Sequence, residues 1–113
     1  MKKSHEPVLT KEYLDRTYDE AEFTLATGLT NYDLRANEAA AFSNLKVYTT
    51  INIRTTQAIS VRLNSTSRPA ITVTANRPFE LNNLLEITDI YISNSSGSTA
   101  TIYVFGSRKG AIA

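Results

Sequence analysis

The sequence predicts an all-β chain: a single antiparallel β-sandwich or jelly-roll barrel of about seven or eight strands behind an N-terminal arm. Three observations predict it. From Glu22 onward, apolar residues recur at every second position in short runs, the period that sends alternate side chains to opposite faces of a strand. The runs are separated by Gly, Asn, Ser and Pro punctuation. Fifteen Thr, ten Ser and nine Asn among 113 residues fit exposed strand faces and tight turns respectively.

Residues 1–21 do not share the alternation. Thr10 is placed to cap a short helix through about Tyr18, with Glu12 in its first turn favourable to the helix dipole and Leu14 and Tyr18 spaced i, i+4. So short a helix is marginal alone, so the segment reads as an arm whose apolar groups, Leu9, Tyr13, Leu14 and Tyr18, need a surface to lie on. Residues 22–113 form the sandwich domain.

Within that domain Phe23 and Leu25 open the first strand, and Tyr32 with Leu34 follows beyond Gly28. Leu45 to Arg54 makes a long segment. Ile59, Val61 and Leu63 come next, then Ile71 with Val73, Phe79 with Leu81, Ile90 with Ile92, and Ile102 with Val104. The period of two turns Ile51, Ile53, Ile59, Val61, Leu63, Ile71 and Val73 inward and leaves Asn52, Arg54, Ser60, Arg62, Thr72 and Thr74 outside, a polar face carrying arginines. The last strand is apolar on both faces, because Tyr103 and Phe105 oppose Ile102 and Val104. Either that strand is covered on both sides or its outer aromatics meet another subunit.

The run Asn94-Ser-Ser-Gly-Ser98 invites a reading as a phosphate cradle. Such a cradle stands between a strand and a helix with a lysine in reach of the phosphates. Here Gly97 precedes Ser-Thr-Ala-Thr-Ile-Tyr-Val-Phe, a strand-forming stretch, so the run reads as a hairpin turn with a left-handed glycine. Asn64 to Pro69 and Asn76 to Pro78 read as turns as well. Asn64-Ser-Thr66 and Asn94-Ser-Ser96 match glycosylation acceptors, a pattern that a chain this rich in Ser, Thr and Asn generates by chance.

Composition narrows the chemistry. At 113 residues the chain makes one domain able to bury roughly two-thirds of its unfolded surface. It has no cysteine, which removes thiol chemistry and disulfides. His5, the single histidine, lies in the polar leader, far in sequence from any partner for a triad or a histidine metal site. Asp15, Asp19, Glu20 and Glu22 match no Ca²⁺ loop and read as a solvated acidic cluster. Glu80, Glu86 and Asp89 offer a glycosidase-like carboxylate pair only without a Trp platform. The expectation is therefore a protein that is not an enzyme and uses no cofactor or metal.

The N-terminus lacks the apolar core of a signal peptide and no run is long enough to span a membrane, so a soluble product made inside the cell is expected. The net charge of +1 conceals an asymmetry: residues 1–40 hold five Lys/Arg against eight Asp/Glu, and residues 41–113 hold seven against three. Opposed halves of this kind either pair between neighbouring copies or onto a partner, or reflect an unevenly charged solvated surface. The arginines are dispersed among strands without interleaved exposed aromatics, which argues against nucleic acid as the partner.

INIRTTQAISVRLNSTSRPAITVTANRPFEL followed by LLEITDIYISNSSGSTATIYVFG, within residues 42–106, resembles the small β-domains of tailed-bacteriophage virions, especially head decoration (cement) proteins and related head-fibre or tail-associated modules. The likeness lies in an Ile-x-Ile-Arg strand, an Asn-Ser-Thr turn, and Ile-Tyr-Ile-x-Asn before a Ser/Gly hairpin. It implies a structural protein of the capsid surface, made in the host cytoplasm, assembled as a homo-oligomer and most commonly a trimer, and bound to the major capsid protein or another virion component with the arm reaching onto the shell. On that reading Leu9, Tyr13, Leu14, Tyr18, Arg54 and Arg62 contact the capsid, and Tyr103 and Phe105 lie at a subunit contact. The alternative is a receptor- or glycan-binding module of a head fibre or tail, binding through the loops at Asn64 to Pro69 and Asn94 to Ser98 at one end of the sandwich.

Overall fold

A computed structural model describes residues 18–108, except the side chains of residues 83–85. Eight strands fall within it: β1 (Tyr18–Leu25), β2 (Tyr32–Asp33), β3 (Tyr48–Thr55), β4 (Ile59–Leu63), β5 (Ile71–Val73), β6 (Phe79–Ile87), β7 (Ile90–Ser93) and β8 (Ala100–Ser107). They form two four-stranded sheets, ordered β1-β8-β3-β6 and β2-β7-β4-β5. Antiparallel pairs nest inside one another, β1 with β8, β2 with β7, β3 with β6 and β4 with β5. The chain is thus one long hairpin, with its bend between β4 and β5, rolled until β8 meets β3 and β7 meets β4. That is a jelly roll, the double-sheet solution of an antiparallel chain whose strands each bury one face.

Alternation supplies the core. β8 buries Ala100, Ile102, Val104 and Gly106 in strict alternation, and Phe23, Leu25, Ile51, Ile53, Ile59, Val61, Val73, Ile87, Ile90 and Ile92 join them between the sheets. Leu63 and Ile71, expected inside, are only half-buried: Ile71 is on the edge strand β5, and Leu63 lies past the part of β4 that β5 covers.

Three departures from the sequence reading have local causes. β1 begins at Tyr18, so Tyr18–Ala21 belongs to the domain and not to the arm; Asp19 and Ala21 continue the inward row of Phe23 and Leu25. Asp19 hides that row from a hydropathy reading because it is a carboxylate in an apolar position, 1% exposed. Second, Leu34 is not in a strand. Asp33 caps a single helical turn, α1 (Leu34–Asn37), accepting from the Ala36 N–H, and the turn drives Leu34 into the core. Third, β3 starts at Tyr48 and not at Leu45, and a register shift against β6 between Tyr48 and Thr50 changes the inward phase, so Tyr48 and Ile51 both point inside.

Residues 38–47 connect α1 to β3 without regular structure beyond a turn, and two charged side chains satisfy much of their backbone. The Asp19 carboxylate accepts from the N–H groups of Asn44 and Leu45, both at 3.1 Å, and from the Tyr48 hydroxyl at 2.7 Å. The Arg35 guanidinium donates to the carbonyls of Phe42, Leu45 and Lys46 at 3.1, 2.7 and 2.8 Å, and to Thr88 at 2.5 Å. Tyr48 lies between the two charges. Arg35 sits 4.6 Å from its ring centroid, Phe42 meets it edge-on, and the ring lies against Gly106. Burial, reinforced by the bond to Asp19, pushes the Tyr48 phenol well above its ordinary value.

A Cβ at Gly106 would stand 2.8 Å from the Tyr48 ring, so Gly106→Ala should destabilise the domain by about 1–3 kcal/mol. Asp19→Ala leaves two N–H groups and a phenol without their acceptor and should cost roughly 3 kcal/mol or more, with Asp19→Asn milder because one oxygen survives. Urea midpoints at unchanged m-value measure both; an Asp19→Ala protein as stable as the parent contradicts this role for the connector.

Candidate functional site

The outer face of the β1-β8-β3-β6 sheet gathers side chains that the core does not use. Cross-strand register sets them in rows: Glu22, Tyr103 and Arg54 in one, Glu20, Phe105 and Asn52 in the next, Tyr18, Ser107 and Thr50 in the third. Glu80 and Asn82 extend the last two rows onto β6. The aromatics are braced by their neighbours. Tyr18 stacks on Phe105 with ring centroids 5.3 Å apart, Arg54 lies over Tyr103 at 5.0 Å, and the Tyr103 hydroxyl donates to Glu20. An open hollow of about 380 Å³ runs between Glu22, Arg54, Asn76, Pro78 and Tyr103, and a second of about 280 Å³ continues it past Phe105. The face is flat, braced and mixed in character, with carboxylates on the β1 side and a guanidinium on β3. It is suited to holding a surface.

Tyr103 and Phe105 therefore stand on an outer face, and that face is already partly covered from within the chain by Tyr18 and Arg54. Arg54 shares it; Arg62 does not. Arg62 belongs to β4 in the other sheet, and it donates to the Arg68 carbonyl at 2.9 Å and to Asn31 Oδ1 at 3.1 Å, bracing two turns. The expected single arginine face is thus divided between opposite sides of the sandwich. Leu9, Tyr13 and Leu14 lie outside the described residues, and Tyr18 is a strand residue, not a helical one. The acidic cluster also separates. Asp19 points into the core while Glu20 and Glu22 are exposed on the face. Their i, i+2 spacing is the available signal, and it straddles the expected boundary between arm and domain at residue 22.

The two loops expected at one end lie at opposite ends of the β2-β7-β4-β5 sheet, since β4 and β7 pair Leu63 with Ile90 and Ser60 with Ser93. Their asparagines serve the fold. Asn94 is fully buried; its amide donates to the carbonyls of Leu25 and Ser98, and its oxygen accepts from Ser96. Asn64 is left-handed at φ 70°, and its side chain clasps the Thr88-Asp89 turn and the Glu86 carbonyl. Neither amide is free to carry a glycan without breaking these bonds. Gly97 adopts φ 94°, the conformation expected of the turn, and its N–H donates to Thr27.

Asn94→Ala should cost about 2–3 kcal/mol by stranding buried partners, whereas Ser95→Ala, at an exposed position, should be within about 0.5 kcal/mol of the parent. Thermal or urea unfolding compares the two, and equal losses would contradict the buried-anchor role. The hydrogen bond to Glu20, then burial, pushes the Tyr103 phenol up to about 12 from its ordinary 10. A raised value means that the folded state favours the protonated phenol. Its contribution is therefore intact below about pH 10 and is lost as pH rises towards about 12. Phenolate absorbance should show one tyrosine titrating earlier in Glu20→Gln; an unchanged titration curve refutes the pairing.

No family model matches this chain, and no curated protein matches it. Among solved structures it is similar to a de novo designed double-stranded β-helix solved by solution NMR, at TM-score 0.51 and 13% identity over 77% of this chain and 96% of that one. At that identity the likeness is one of fold, and it is consistent with the two-sheet antiparallel sandwich derived from the register.

Proposed function

We propose that this protein is a structural, non-catalytic component of a tailed-phage virion, a head decoration protein that binds the shell in many copies. The observation that carries the reading is the outer face of the β1-β8-β3-β6 sheet, where aromatics and charges are braced in rows on a rigid scaffold. Such a face offers contact area without a deep enclosed pocket, which is what association of copies requires. Residues 1–17 lead directly into β1, the edge strand beside that face. In this reading the leader, through Leu9, Tyr13 and Leu14, grips the major capsid protein, and Tyr103 and Phe105 contribute to contacts between copies. Modest interfaces add up when copies are many. The loop-based receptor or glycan reading has less support, because the two loops lie at opposite ends of their sheet and spend their asparagines on internal bonds.

Removing residues 1–17 should leave the domain folded, since the alternating core starts inside β1, and should reduce co-sedimentation with empty heads of the accompanying capsid protein at least tenfold. Full-strength binding by the shortened protein would move the shell contact to the sandwich. Failure of the complete chain to sediment with heads would sink the decoration reading itself.

A further inference from the structure

The rows on the outer face have an order that bears on what can cover it. Glu20 and Glu22 stand on β1, Phe105 and Tyr103 on the central β8, Asn52 and Arg54 on β3. In one row an acid and a base, Glu22 and Arg54, flank the aromatic column at equal register; in the next, Glu20 is opposed by Asn52. A surface of this kind is complementary to its own copy under one particular rotation.

Two copies packed face to face are related by a two-fold axis lying in the plane between them, because the outward normal must reverse. An axis parallel to the strands and centred on β8 keeps each row at its own height and exchanges β1 with β3. Glu22 of one copy then faces Arg54 of the other, and Glu20 faces Asn52. Tyr103 and Phe105 meet their own counterparts on the axis, and β6 with Glu80 overhangs the partner's β1 edge, one strand away from the partner's Glu20 and not directly opposite it. Alternatives are worse. Shifting the axis to lie between β8 and β3 sets Glu20 against Glu80, and turning it perpendicular to the strands sets the β1 carboxylates against one another. Opposite charges at matched positions favour one register, and like charges in the others disfavour them.

We propose that the outer face of the β1-β8-β3-β6 sheet docks on a second copy of this chain about a strand-parallel two-fold axis over β8, with reciprocal Glu22–Arg54 pairs flanking a Tyr103/Phe105 seam. The inference rests on the self-association part of the functional reading and specifies its geometry. Both charged residues are exposed and stand on strands separated by β8. The Arg54 guanidinium carbon lies 5.0 Å from the Tyr103 ring centroid, which sets its charge beside the aromatic seam. Size sets the strength. Three overlapping strands at about 4.8 Å by seven residues at about 3.3 Å give roughly 330 Å² per copy, or about 670 Å² in all, well below the usual range for tight complexes. The dimer is accordingly a weak one, with a dissociation constant on the order of a hundred micromolar, reinforced when many copies share a scaffold.

Sedimentation equilibrium of the full chain, from about 1 to several hundred micromolar, tests the proposal. The expected result is a monomer–dimer equilibrium weakened at least tenfold by Glu22→Arg or Arg54→Glu. Each variant then presents like charges to itself, yet an equimolar mixture of the two should dimerise as the parent does, because both reciprocal pairs become complementary. The double variant Glu22→Arg/Arg54→Glu should also recover. Circular dichroism checks folding, and should a reversed-charge variant not fold, Glu22→Gln and Arg54→Gln with the salt dependence of the parent serve instead; weaker dimers and a dissociation constant rising with salt are expected. A dimer indifferent to salt and to these substitutions, or single variants that do not rescue each other, overturns the two-fold pairing. A trimer overturns it while leaving self-association standing. A parent that stays monomeric at several hundred micromolar overturns both.

Discussion

The Asp19 carboxylate and the Arg35 guanidinium, held apart by the ring of Tyr48, do for residues 38–47 what a strand ladder does elsewhere. The connector must cross from α1 to β3, and its N–H and C=O groups meet no neighbouring strand. A carboxylate takes the donors of Asn44 and Leu45 while a guanidinium takes the acceptors of Phe42, Leu45 and Lys46. Charged partners make shorter and stronger bonds than neutral ones, so two side chains stabilise a span that would otherwise be solvated loop. The same Arg35 reaches Thr88, tying the β6-to-β7 turn to the cluster. Gly106 completes it, since only a residue without Cβ lets the tyrosine ring lie flat across β8 and present its hydroxyl to β1.

A second group of polar residues acts at the turns on the same principle. Asn64 and Asn94 each replace several backbone bonds with side-chain amide bonds, and among the described residues no buried side-chain polar atom lacks a partner. The effect on function is indirect but definite. Polar side chains that look available in the sequence are occupied in the fold, and what stays accessible is a sheet face whose composition is set by alternation. Rigidity at the turns keeps that face in register, which matters for a surface recognised by the positions of its rows.

Strand positions were legible wherever alternation was clean. The segments carrying Ile59 to Leu63, Ile90 to Ile92 and Ile102 to Val104 are strands with the expected inward residues, apart from half-buried Leu63, because a period of two leaves few other ways to hide those groups. Legibility failed where a polar group occupies an inward position or a shift resets the phase. Asp19 made β1 look like leader, and the register change near Tyr48 displaced the start of β3. The outer face was half readable: Tyr103, Phe105 and Arg54 stood out as outward residues, but Glu20 and Glu22 could join them only once β1 was known to pair with β8 across some eighty residues of sequence. Whether Arg54 and Arg62 share a face depends on which sheet each strand enters, and side-chain alternation carries no such information.

The pairing of Tyr18 with Ser107 sets the first and last strand residues side by side at one corner of the domain. Its consequence is mechanical. Tension applied between those two points would peel β1 from β8 one hydrogen bond at a time, a weak geometry. Tension drawn along β1 against a domain held by its broad face would instead load the eight-residue ladder in shear, with its bonds sharing the force. The fold is therefore anisotropic under load, yielding when its ends are pulled apart and resisting when it is dragged lengthwise by its leading strand.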